Sequence, residues 1–197
     1  MRWLRLYARS RRVPAALAAT GGCAAVMWSL WTVFSNSRDV GVPMVILTVL
    51  LMVAAVTATL GGPDDALERT AALPWPRRRA AHLLAASAVV LVPLLATLLT
   101  GTRFGPAEVV IRDAAGLLGL TALGAATIGA ARSWFLPLGW TLAAIVFPLP
   151  ERVYGQILTW QSQAPGSEAA AVTAVLLALG GLVAYAAAGP ARRAAAL

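Results

Sequence analysis

Residues 42–100 read VPMVILTVLLMVAAVTATLGGPDDALERTAALPWPRRRAAHLLAASAVVLVPLLATLLT. A charge-free run is followed by a short charged segment, and a second charge-free run follows that. Each apolar run is long enough to cross a hydrocarbon core about 30 Å thick, which takes roughly 20 helical residues. The intervening segment, 64–79, is the only interior place where acids and bases crowd together. This alternation predicts two membrane helices joined by a polar loop.

The rest of the chain repeats the pattern. Windows 13–37, 40–63, 80–102, 114–131, 133–150 and 169–191 contain no Asp, Glu, Lys or Arg. With 59% hydrophobic and 12% charged residues among 197, and a mean hydropathy of +0.76, the composition is that of a membrane protein. The expected fold is all-α and polytopic, with six transmembrane helices at about 13–34, 41–61, 80–101, 114–131, 134–149 and 169–189. Residues 1–12 precede it, 62–79 form a loop, 150–168 form a longer loop on the opposite side, and 192–197 are a tail.

The arginines set an orientation. With the N-terminus inside, one side receives Arg2, Arg5, Arg9, Arg11, Arg12, Arg69, Arg77, Arg78, Arg79, Arg132, Arg192 and Arg193. The other receives Arg38, Arg103, Arg112 and Arg152. Both termini are therefore expected in the cytoplasm. The net charge of +8 calls for no nucleic-acid partner, because no stretch is polar enough to form a soluble basic surface.

Every basic residue is Arg, a bias that fits a GC-rich bacterial genome. Without Lys the chain has neither a phosphate-loop ATP site nor a Schiff-base nucleophile. Its single Cys23 and single His82 allow no internal disulfide and complete no zinc site. No catalytic, cofactor or metal residues are expected. An intramembrane enzyme would need a Ser with His, paired Asp, or metal ligands at span depth. The "TGGC" at 20–23 and the "SRR" at 10–12 are weak signals for lipoprotein or twin-arginine processing, since the apolar run continues through Trp28 and Trp31 to Phe34. Residues 13–34 are read as a retained helix.

In "MRWLRLYARSRR", Arg2, Arg5, Arg9 and Arg12 share one helical stripe, while Trp3, Leu4 and Tyr7 gather opposite, with Arg11 as the exception. That pattern predicts a cytoplasmic interfacial helix, although the cluster also serves simply to fix topology. Within 64–79, Asp65 and Glu68 have capping-box spacing and Pro74 ends what precedes it, giving about two helical turns. Those turns read either as a docking knob or as an ordinary loop. Residues 150–168 predict a small outer helix between Val153 and Gln161, with Tyr154 and Trp160 at the membrane interface. Small residues pair at Ala115/Gly119, Thr121/Ala125/Gly129 and Gly180/Ala184/Ala188. No ionisable residue is expected deep in a span, which argues against an ion-coupled carrier. Thr48, Thr57, Thr59, Thr97, Thr121, Thr127 and Thr141 read either as helix-internal hydrogen bonders or as a polar lining.

With "DDALERTAA" followed by "RRRAAHLLAA", and this layout of spans, the chain resembles the permease subunit of an ABC-2 type ABC transporter. The resemblance implies an exporter in the bacterial plasma membrane, moving a hydrophobic or amphipathic molecule. It implies a separate ATPase subunit that binds ATP and Mg, and a homodimer or a heterodimer with a related permease. Asp64, Asp65, Leu67, Glu68, Arg69 and Thr70 would form the coupling helix that contacts the ATPase, and Tyr154 with Trp160 an external gate segment. The alternative is a membrane scaffold or sensor recruiting a non-ATPase partner through the same loop.

Overall fold

The computed structural model describes residues 11–61, 74–147 and 152–191. Regular structure among them is helical. The helices are α1 (Val13–Phe34), α2 (Val42–Thr57), α3 (Trp75–Ala96), α4 (Ala107–Ile128), α5 (Phe135–Val146), α6 (Val153–Leu158) and α7 (Glu168–Ala188). Short 3₁₀ turns cover Thr97–Leu99, Ala130–Arg132 and Trp160–Ser162.

Local sequence explains where the helices begin. Pro14, Pro43 and Pro76 sit in the first turns of α1, α2 and α3, where a missing N–H costs nothing. At α7 the Ser167 hydroxyl accepts from the Ala170 N–H, and Glu168 favours the helix dipole. Pro93 lies inside α3 and removes one ladder bond three residues before the helix ends.

Four helices, α1, α3 with its 3₁₀ extension, α4 and α7, are long and apolar enough to cross a membrane. The chain is thus all-helical with several candidate spans, as expected of a multi-pass membrane protein. The other two long elements are shorter than the sequence windows. At 1.5 Å per residue α2 covers about 24 Å and α5 about 18 Å.

Helices α1 to α5 and α7 run antiparallel between two ends of one bundle. At one end Val40 N–H donates to Arg103 O and Arg103 N–H to Arg38 O, 2.8 Å each, joining the α1–α2 and α3–α4 loops. At the other end Tyr185 Oη donates to Leu60 O at 2.7 Å, and Ala191 N–H to Ala125 O at 2.7 Å. Arg11 and Ala191, the first and last described residues, lie at this second end, which also holds Arg77, Arg78 and Arg79. We call it the arginine end, and the opposite one the cap end.

Helix α4 is the hub. It packs against α2, α3, α5 and α7, whereas α1 leans on α2 and only lightly on α3. The α4–α7 seam is the tightest. A Cβ on Gly119 would overlap the backbone of Leu177 and Ala178, and one on Gly181 would overlap that of Gly119, so only glycine permits this approach. Gly119 was expected in a seam; its partner is Gly181, one position from the expected Gly180, which meets no neighbouring atom.

Two helix starts differ from expectation. Helix α3 begins at Trp75, so Arg77, Arg78 and Arg79 belong to its first turns. Helix α4 begins at Ala107 and takes Arg112 and Asp113 into its second turn, with Asp113 fully buried. Charge therefore does enter this helix, because the two side chains neutralise each other, with Arg112 Nε 3.0 Å from Asp113 Oδ1.

Candidate functional site

The expected coupling residues Asp64, Asp65, Leu67, Glu68, Arg69 and Thr70 lie outside the described residues, as do Arg2, Trp3, Arg5, Tyr7 and Arg9 of the expected interfacial helix. Arg12 is described. It is exposed, occupies the position just before α1, and has φ 55°, an αL backbone uncommon outside glycine.

What the structure does show is how the ends of the 62–73 segment are held. On the α2 side, Leu60 is fully buried and its carbonyl accepts from Tyr185 of α7. Arg11 Nη1 stands 3.5 Å from the same phenol oxygen and is itself buried. Thr59 Oγ1 lies 3.1 Å from His82 Nε2 on α3. On the α3 side, the Arg79 guanidinium lies against Gly189, at the end of α7. A small apolar cluster of Leu60, Leu83, Ala122, Ala125 and Tyr185 fills the space between. The segment's two anchor points are thereby tied to α1, α3, α4 and α7.

The cap end carries a second polar assembly. The expected outer helix is present as α6 with the Trp160–Ser162 turn. Tyr154 is half exposed there, as an interfacial residue would be. Trp160 is not at the interface. It is fully buried, its ring seated where a Cβ on Gly116 would stand. The indole found a pocket at glycine on α4, and burying so large an apolar surface outweighs leaving it at headgroup depth.

Arg112 clamps this cap. Its guanidinium donates to the carbonyls of Gln161 at 2.9 Å, Gln163 at 3.0 Å and, at the limit of 3.4 Å, Ala164. Thr141 Oγ1 on α5 lies 3.1 Å from Gln161 Oε1, and Trp140 Nε1 donates to Leu158 O at 2.9 Å. Asp113 Oδ2, Trp160 Nε1 and Gln161 Nε2 are buried without a hydrogen-bond partner among the described residues. Sequence reasoning counted Arg112 only as a residue of the outer side. The signal that would have found the clamp was the adjacent Arg112–Asp113 pair, preceded by Pro106 and Glu108 and followed by an unbroken apolar run.

Thr48, Thr57, Thr59, Thr97, Thr121, Thr127 and Thr141 each donate to a carbonyl three or four residues earlier. Each hydroxyl proton thus has an acceptor within its own segment, as expected of helix-internal hydrogen bonders. Cys23 is half-buried against the main apolar cluster. Among the described residues no three of His, Cys, Asp and Glu converge as metal ligands.

Geometrically this is a bundle with two fastened ends and no assembled nucleophile among the described residues. The residues on either side of the 62–73 segment are held by several helices at once. No protein-family model matches this chain, and no curated protein or solved structure does either.

Proposed function

We propose that the chain is the membrane subunit of an ATP-driven, ABC-2 type exporter. In this reading α2 and α5 complete six spans in the bacterial plasma membrane, with the arginine end cytoplasmic. A separate ATPase subunit supplies the energy by docking on the coupling helix of the 62–79 loop, and two permease copies, identical or related, flank the path of a hydrophobic or amphipathic molecule.

The observation that carries the proposal is the anchoring of that loop. A push on it is felt at Leu60 and Thr59 on one side and at Arg79 on the other, hence in α7, α3 and α1 together. Because α4 and α7 are in backbone contact at Gly119 and Gly181, the pair moves as one body. The Arg112 clamp carries that displacement to the cap over α5 and α6. Closure of the ATPase dimer would favour one arrangement of these helices by binding it more tightly, which is what shifts a population.

The test is co-purification of the chain in mild detergent with any ABC-type ATPase that a neighbouring gene encodes, measuring stoichiometry and vanadate-sensitive hydrolysis with and without Glu68→Ala. A complex whose hydrolysis depends on Glu68 is the expected result. A folded chain that forms no complex overturns the reading and leaves a scaffold that recruits some other partner.

A further inference from the structure

Between α1 and α3 the bundle stays open. An apolar groove of about 400 Å³ runs between Leu17 and Gly21 on α1 and Ala88, Val92 and Pro93 on α3. Toward the arginine end it continues into a recess of about 80 Å³ bounded by Val13, Ala16, His82 and Ala85, with Leu17 and Val89 lining both. The polar groups along it among the described residues are few: the Thr20 hydroxyl donates to Ala16 O at 2.8 Å, and in the recess His82 Nε2 and Thr59 Oγ1 lie 3.1 Å from each other. Gly21 meets no neighbouring atom at the position a Cβ would take.

The length of the groove is informative. From His82 to Pro93 the helix rises about 16 Å, and one leaflet of a hydrocarbon core is about 15 Å deep. The groove therefore spans one leaflet and ends near the midplane, as a single acyl chain does.

Its mouth has the complementary charge. Arg12 immediately precedes Val13, and Arg77 and Arg78 stand one turn before Ala81 and His82. Arg12 and Arg77 are exposed, and Arg78 lies 5.8 Å from the centroid of the Trp75 ring. Neither α1 nor α3 has an acid in its first turn or a side-chain cap, so both positive helix ends add to the arginines. A second copy of this chain pairing the same face would set these cations against each other.

We propose that the α1–α3 groove binds one acyl chain of an anionic glycerophospholipid from the leaflet at the arginine end, with its phosphate held by Arg12 and Arg77. The site is independent of whether the chain serves a transporter.

The experiment reconstitutes the full chain in vesicles containing equal phosphatidylglycerol and phosphatidylcholine with the same acyl chains. After gentle extraction, native mass spectrometry counts the lipids retained per protein. Wild type is expected to retain one lipid, favouring phosphatidylglycerol by on the order of tenfold. The double substitution Arg12→Gln with Arg77→Gln is expected to bring the two lipids near parity while one is still retained. Gly21→Leu with Ala88→Leu fills the groove and is expected to abolish retention of either, at an unchanged melting temperature. Parity in wild type overturns the proposal, as does retention that neither variant alters, or a lipid-free dimer that the filled groove dissociates. If the filled variant fails to fold, the arginine pair decides alone, because both side chains are exposed.

Discussion

The α4–α7 seam and the α1–α3 seam are both lined by small residues, yet the first closes to backbone contact and the second remains a groove. In the first, Gly119 and Gly181 face each other directly, and polar ties hold both ends. Tyr185 reaches Leu60 at the arginine end, and Arg112 holds the cap that leads into α7. In the second, Gly21, Ala85 and Ala88 face open space. Helix α1 is tied elsewhere, through Trp28 Nε1 to Thr102 O at 3.2 Å and Arg11 to Tyr185. Small residues permit approach, and ties at the ends decide whether it happens.

The largest test of this contrast is to put side chains one residue apart on α7. Gly181→Leu collides with backbone that cannot move aside, and is expected to cost more than about 3 kcal/mol, the upper range for overpacking. Thermal unfolding and yield in detergent should both fall sharply. Gly180→Leu, one position along, should leave both unchanged; equal damage from the two would break the account of the seam.

Next in size is the cap tie. Arg112→Met removes the clamp and leaves Asp113 buried opposite no cation, with an expected loss of about 3 kcal/mol. The loss should shrink when Asp113→Asn is added. A double-mutant cycle on melting temperature checks this, and additive losses would mean the pair is not coupled.

At the other end, Tyr185→Phe leaves the Leu60 carbonyl buried without its donor, at a cost of about 1–2 kcal/mol. Chemical unfolding in detergent measures it. If the tie also transmits motion, this variant should uncouple ATPase stimulation in the proposed complex more than its stability loss explains.

The smallest effect is expected in the open seam. Gly21→Leu should change stability by no more than about 0.5 kcal/mol, the usual range where nothing is contacted. A large loss in the melting temperature of the lipid-free protein would mean the groove closes in solution.

How far the sequence alone reaches is visible in particular residues. Charge-free windows located α1 and α7 to within one position and α3 to within five, because hydropathy is the property such helices share. The same rule misplaced the start of α4, since it treats any charge as a boundary. It had no way to know that Arg112 and Asp113 cancel and that three carbonyls meet the guanidinium. Hydropathy also cannot rank helices by burial. The spanning window of α4 is 78% buried and that of α1 22%, yet both have a mean hydropathy of 1.5. Trp160 read as an interfacial aromatic because its fit against Gly116, some forty residues earlier, exists only once the bundle has formed. The Gly180 and Gly181 doublet was ambiguous for a related reason: neighbouring helical positions differ by 100° in direction, and only the partner helix selects one.

The bond pattern joining residues 38–40 to residue 103 has a consequence for how the protein is made. These loops are separated by two helices and the segment between them, so the ribosome must finish α3 before Arg103 exists to pair with Val40. Until then the first loop has only its local contacts, such as Trp31 Nε1 to Ser37 O and the Ser37 hydroxyl to Asp39 O, 3.0 Å each. The pairing therefore becomes possible only once α1, α2 and α3 have all been synthesised, and it needs no residue of α4.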